Sequence, residues 1–217
     1  MGDGADEVEL RTLMDPRTHW ETIYRTKDVH DVSWFQSEAR RSLDLINRIS
    51  PDRSAAIIDV GAGASVLVDN LLDAGYRDVS VLDLSEAALQ ISRDRLGPES
   101  ARVKWMLADV LRVEIDESTY AVWHDRAVFH FLTHATDRHA YVEQVRRAVK
   151  PGGHVLVATF AEDGPQSCSG LPVVRYSAEG LHSEFGTDFR LVGSEHEDHR
   201  TPRGARQSFL YCLCRRE

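Results

Sequence analysis

Ala55-Ala56-Ile57-Ile58-Asp59-Val60-Gly61-Ala62-Gly63-Ala64-Ser65 decides how this chain is organised. The run from Ala55 to Val60 is apolar up to a single acid, the pattern of a strand buried in a parallel sheet. Glycines 61 and 63 permit a sharp turn from strand to helix and let a ligand approach the main chain closely. In open α/β sheets, such a loop at the carboxyl end of a strand is where nucleotide-like cofactors sit.

Counting outward from this loop, further apolar runs predict strands at 79–83, 102–107, 120–124 and 154–160, beside the first at 55–60. Helix-period segments fall at 65–74, 85–95, 136–149 and 177–185. Their alternation is the signature of a doubly wound α/β sheet. Two last strands, near 188–195 and 206–214, have no helix-length segment between them and are expected to pair antiparallel. Asp15-Pro16 is an N-cap and first-turn pair, predicting a helix over 16–27. A loop over 28–36 carries Ser33-Trp34-Phe35, a second helix covers 37–49, and Pro51 ends it. Lys150-Pro151-Gly152-Gly153 reads as a turn before the fifth strand. Residues 1–15 read as a mobile, acid-rich tail.

The 217 residues are 42% hydrophobic and 28% charged, which suits one domain able to bury its own core. No apolar run approaches the ~18 residues of a membrane span, and no signal-peptide pattern opens the chain. Three cysteines (Cys168, Cys212, Cys214) make neither an even disulfide framework nor a metal-binding spacing. A reduced, cytoplasmic setting without a membrane partner is the simplest expectation. Net charge is −9, from 35 acids against 26 Lys and Arg. That field disfavours a nucleic-acid partner, which needs clustered cations to neutralise phosphates.

Two acids repeat the pattern of Asp59 at later strand tips. Val79-Ser80-Val81-Leu82-Asp83-Leu84-Ser85 ends a strand in Asp83, whose carboxylate is placed to accept hydrogen bonds from both hydroxyls of a ribose. The other reading of Asp83 is an acid in the loop before a helix that Ser85 caps. Trp105-Met106-Leu107-Ala108-Asp109-Val110 puts Asp109 where an adenine amine would be accepted, with Val110 against the ring; a solvated loop aspartate is the plainer alternative. A dinucleotide fingerprint asks for a third glycine at position 66, where this chain has Val66, so a nicotinamide enzyme loses ground.

Asp59-Val60-Gly61-Ala62-Gly63, Asp83-Leu84-Ser85, Ala108-Asp109-Val110 and Lys150-Pro151-Gly152-Gly153 together resemble the class I S-adenosylmethionine-dependent methyltransferases, over about residues 16–214. The resemblance implies a Rossmann-like, seven-stranded, mostly parallel sheet with its last strand antiparallel. It divides residues 16–217 into an N-terminal helical lid (16–50) and a core (51–217). It implies S-adenosyl-L-methionine as cofactor and S-adenosyl-L-homocysteine as product. Gly61, Ala62 and Gly63 would lie beneath the cofactor, Asp83 at its ribose, and Asp109 and Val110 at its adenine, with Leu84, Asp59, Trp34 and His124 completing the binding set. Ser65 stands where a further glycine is often found.

Trp20-Glu21-Thr22-Ile23-Tyr24 and Ser33-Trp34-Phe35 resemble the N-terminal segment of a clade that includes protein-lysine methyltransferases; small-molecule and thiol methyltransferases carry comparable tryptophan-bearing segments. Such a segment can close over the cofactor, or its tryptophans can be packing anchors. The fourth strand ends in Trp123-His124-Asp125-Arg126-Ala127-Val128-Phe129-His130-Phe131, a tip that faces the transferable methyl in this family. Asp125-Arg126-Ala127 departs from the Asp-Lys-Gly run of the lysine-methyltransferase clade. Asp125, Arg126 and His130 are the catalytic candidates: Arg126 offers a planar fork to a carboxylate, and His130 a base for an amine or hydroxyl. The alternatives are an Arg126 locked by an acid and a structural His130. The short His124, Asp125, His130, His134 spacings do not make a zinc site. Arg175 and Tyr176, after a Pro-, Gly- and Ser-rich loop expected to roof the pocket, either contact substrate or brace the next helix. The expected activity is methyl transfer to a small-molecule N, S or O nucleophile, with a protein lysine as the alternative acceptor and a non-catalytic cofactor-binding regulator as a distant one.

Overall fold

A computed structural model describes residues 15–217. The expected tail over 1–15 therefore lies, but for Asp15, outside the described residues. The helices are α1 (Pro16–Thr26), α2 (Arg40–Ile49), α3 (Leu67–Asp73), α4 (Glu86–Leu96), α5 (Ala135–Ala148) and α6 (Ala178–Phe185). The main sheet is built from β1 (Ala56–Val60), β2 (Asp78–Asp83), β3 (Val103–Leu107), β4 (Tyr120–Arg126), β5 (Val149–Phe160), β6 (Phe189–Arg200) and β7 (Arg206–Arg216).

Strand order is β3-β2-β1-β4-β5-β7-β6. The pairs from β3 through β5 are parallel, and β7 runs antiparallel to both β5 and β6. This is the doubly wound sheet expected from the sequence. β1 lies central, so its loop sits where the strand order reverses, the crevice in which such sheets bind ligands.

Every residue of β1 is buried, and the period-2 alternation sends its side chains to two cores. Ile57 packs with Leu45 and Ile46 of α2 and with Leu67 and Leu71 of α3 on one face. Ile58 and Val60 pack with Tyr141 and Val145 of α5 and Leu181 of α6 on the other. Local chemistry sets the helix starts: Asp15 accepts from Thr18 N at 3.2 Å with Pro16 following, Ser85 accepts from Ala88 N at 3.1 Å, and Ser177 accepts from Gly180 N at 3.1 Å.

The predicted turn at Lys150-Pro151-Gly152-Gly153 lies inside β5 rather than before it. The pairing jumps from Tyr120–Val149 to Val122–His154, so the segment loops out as an irregularity, with Gly152 at φ 76°. Gly153 is required there, since a Cβ would press on the carbonyl oxygens of Lys150 and Ala121. Among the described residues no helix is long and apolar enough to cross a membrane.

Candidate active site

The tips of β1, β2 and β4 border a cavity of about 710 Å³, and a smaller one of about 60 Å³ adjoins it beside the β1 loop. Gly61, Tyr24, Trp34 and Arg126 line both. Gly61 and Gly63 have φ of 59° and 56°, a left-handed conformation that side chains rarely adopt. A Cβ at Gly61 would overlap Val128, and one at Gly63 would overlap the Tyr24 hydroxyl.

Asp83 is buried at the wall of the large cavity. One oxygen accepts from Gly63 N at 2.7 Å and the other from Ser85 N at 2.8 Å. Burial, with the Asp59 charge nearby, lifts its pKa from 3.8 to about 6 against those hydrogen bonds. A carboxylate has about four acceptor positions, so capacity remains for a ligand. Leu84, Asp109 and Val110 continue the same wall, and the Asp109 carboxylate is fixed by Leu111 N at 2.9 Å.

Asp59, Ala62 and His124 line the small cavity instead. His124 Nδ1 lies 2.7 Å from Asp59 Oδ1, and its Nε2 lies 2.8 Å from Ser42 Oγ on α2. An ionised Asp59 accepts from Nδ1–H, which leaves Nε2 to accept from the Ser42 hydroxyl. The second oxygen of Asp59 is buried and has no hydrogen-bond partner among the described residues. Buried acceptors are normally satisfied, so this oxygen is open to a donor from a water or a ligand.

The N-terminal segment borders both cavities. Trp20 and Tyr24 of α1 and Trp34 of the following loop line the large one, and Trp34 Nε1 donates to Tyr24 Oη at 3.2 Å. Glu21 clasps the start of α4, accepting from Ser85 Oγ at 2.8 Å and from Ala87 N at 3.1 Å. A carboxylate there satisfies orphan helix donors and favours the positive end of the helix. Across the cavity, Cys168 and Leu171-Pro172, which belong to a short hairpin of Ser167–Cys168 and Leu171–Pro172, form the expected roof.

Two catalytic candidates lie behind the wall, not on it. Asp125 is fully buried and accepts from Val128 N at 2.8 Å, Phe129 N at 3.1 Å and Tyr141 Oη at 2.6 Å. It ties down the turn after β4, and burial raises its pKa to about 6. His130 is also fully buried; its Nδ1 accepts from Phe160 N at 3.3 Å, and burial, then the nearby Arg126 charge, lowers its pKa to about 3. This neutral imidazole packs against the sheet and does not line the cavity, and its Nε2 has no hydrogen-bond partner among the described residues. Arg126 alone of the three lines the cavity, and it is braced: Nε donates to Tyr211 Oη at 3.0 Å and Nη2 lies 3.8 Å from Glu197. Arg175 donates to the carbonyls of Glu162 and Gly164, and buried Tyr176 reaches toward Glu184, so both brace the loop and the next helix rather than line the cavity.

Tyr24, Glu21 and Ser42 are site residues that the sequence reading did not single out. The spacing of Trp20, Ile23 and Tyr24 shows that they share a helix face, but nothing local shows what that face covers.

Residues 57–153 match the family described as a methyltransferase domain. That stretch is a methyltransferase domain, and the chain is similar to class I S-adenosylmethionine-dependent methyltransferases. The methyltransferase is 22% identical to human EEF1A lysine methyltransferase 2 over 206 residues, spanning 88% of this chain and 81% of the relative. It is 28% identical to the ubiquinone biosynthesis O-methyltransferase of Alkalilimnicola ehrlichii over 166 residues, covering 68% of this chain and 65% of that protein. In fold it is similar to the Burkholderia thailandensis 1,6-didemethyltoxoflavin-N1-methyltransferase, solved with that compound and S-adenosylhomocysteine: TM-score 0.70 at 20% identity, over 100% of this chain and 91% of that one. S-adenosylmethionine is the cofactor of this methyltransferase, and the bare backbone of the glycine loop, the remaining acceptor capacity of Asp83 and the orphaned oxygen of Asp59 fit a group rich in donors.

Proposed function

We propose that the protein methylates a small-molecule nucleophile, with residues 16–50 acting as a lid over a core of 51–217. The observation that carries this reading is the cavity bordered by α1, Trp34 and the 167–172 hairpin. Its volume of about 710 Å³ holds the cofactor and leaves room for an acceptor of small-molecule size. Asp83 accepts the ribose hydroxyls, Leu84 and Val110 hold the adenine edge to Asp109, and Gly61, Ala62 and Gly63 present bare backbone. Asp59, oriented by His124, receives the ammonium of the methionine end. When bound, the cofactor supplies a sulfonium methyl, already an activated electrophile. The chain's task is then to align the nucleophile and keep water out.

Similarity to a lysine methyltransferase over most of the chain favours a second reading, a protein-lysine acceptor. Incubation of a cell extract with tritiated S-adenosylmethionine and the enzyme, followed by separation at low molecular mass, distinguishes the two. Label in the small-molecule fraction is expected; label in protein alone overturns the proposal.

The ribose assignment carries a pH signature. Two hydroxyls donate to Asp83 only if it is ionised, so cofactor affinity is level above pH 6 and falls below it. The fall is roughly tenfold per pH unit, until the pKa of the complex is reached. On folding the sign is reversed. A carboxylate whose pKa is raised by the fold withdraws stability as pH climbs from 3.8 through about 6. Calorimetric titration with S-adenosylhomocysteine between pH 4.5 and 8 reads the first effect, and a flat profile rejects the assignment.

A further inference from the structure

Besides its carboxylates the cavity is lined by aromatic rings. Trp20 stands edge-on to Trp34 at 5.7 Å and to Phe131 at 5.2 Å. Phe160 and Phe209 lie 4.9 Å apart. Faces and edges of this kind suit a flat ring, which stacks without losing side-chain entropy of its own. Asp137, at the start of α5, is the remaining carboxylate lining the cavity among the described residues.

Arg126 is the arginine on the cavity wall, which the titratable His134 also lines. The Arg126 side chain is 10% exposed, its guanidinium lies 4.1 Å over the Phe209 ring, and its Nη2 has no hydrogen-bond partner among the described residues. Glu197 is its partial counter-charge, at 3.8 Å. His199, whose Nε2 meets the Ser33 carbonyl at 2.7 Å, and His130 flank the arginine, and burial lowers the pKa of both, so neither adds a charge near neutral pH. A buried cation raises the energy of a second cation beside it and favours the ionised form of an acid. The thiol of Cys168, on the same wall, is pushed up to about 11 by burial. It stays protonated and does not compete for the methyl group.

We propose that the acceptor is a planar aromatic or heteroaromatic molecule that reacts as its anion, its nucleophile being an acidic O–H, N–H or S–H of the ring system. This rests on the small-molecule reading above. The acceptor loses its proton to water before transfer. Its electron pair then forms the bond to the methyl carbon as the carbon–sulfur bond breaks and leaves its electrons on sulfur, so an anion and a sulfonium give two neutral products. Arg126 lowers the energy of the anion, and the rings hold it flat.

Protein saturated with S-adenosylhomocysteine, titrated with ligands while tryptophan fluorescence is followed, tests this. The probes are 2-naphthalenethiol, 4-nitrophenol, naphthalene and benzylamine. Affinity for each acidic probe is expected to rise about tenfold or more as pH crosses that probe's own pKa, with benzylammonium the weakest binder. Arg126→Met flattens those profiles and leaves naphthalene binding in place. Because Arg126 Nη1 also donates to the Trp34 carbonyl at 3.5 Å, Glu197→Gln is the second arm: removing the counter-charge tightens binding of the anions several-fold without changing that of naphthalene. The proposal is overturned if no arene binds, if affinity ignores ionisation of the probe, or if benzylammonium binds best. Label found only in protein in the fractionation experiment refutes the small-molecule reading itself. Labelled small molecules with failed arene binding refute this inference alone.

Discussion

Asp83→Asn binds S-adenosylhomocysteine 10- to 100-fold more weakly than the parent protein, while remaining folded. The substitution keeps an oxygen for one of the two backbone donors, Gly63 N at 2.7 Å and Ser85 N at 2.8 Å, and removes the charge. Each ribose hydroxyl then loses an ionised acceptor, a change of about 1.5–3 kcal/mol per hydrogen bond, offset in part by relief of a buried charge. The variant also loses the pH dependence described above, because no carboxyl titrates near pH 6 at that place. Calorimetry of the two proteins at pH 7.5 and pH 5 checks both effects. Equal affinities would remove Asp83 from the ribose site.

Asp125→Ala loses stability instead of chemistry. Val128 N, Phe129 N and Tyr141 Oη all donate to this one buried carboxylate, and alanine leaves the three donors unanswered. At about 1–3 kcal/mol for each stranded donor, less the desolvation of a carboxyl that the fold already strains, a net loss of about 3 kcal/mol is expected. For a chain of this size that is a fall in Tm of roughly 6–12 °C. The same turn carries Val128 and Phe131 to the cavity wall, so turnover declines only as far as the turn loosens. A thermal melt that matches the parent, combined with abolished turnover, would return Asp125 to the catalytic list.

The fold was legible because its decisive signals are local. Apolar runs end in acids, Ser85 and Ser177 cap the helices that follow them, and Gly61 and Gly63 take the positive φ angles their spacing suggests. The exception, Lys150-Pro151-Gly152-Gly153, is a correct reading of local backbone that pairing partners absorbed into a long strand. The cofactor wall was legible for the same reason, since strand tips of a doubly wound sheet converge by topology. The acceptor half was not. Asp125 and His130 belong to a strand tip that does face the cavity, but the turn after β4 folds both side chains inward, onto backbone donors at Val128, Phe129 and Phe160. Ser42 and His124 are 82 residues apart, and Tyr24 covers a glycine 39 positions on. Such contacts are set by tertiary packing, and no periodicity in the sequence records them.

Where the cofactor lies is tested most directly by a crystal structure of the complex with S-adenosylhomocysteine. Both ribose hydroxyls are expected on the Asp83 carboxylate and the ammonium group on Asp59. The sulfur would then open toward Trp20, Phe131 and Phe160. A ribose held away from Asp83, or a sulfur turned into the small cavity beside His124, would contradict that placement.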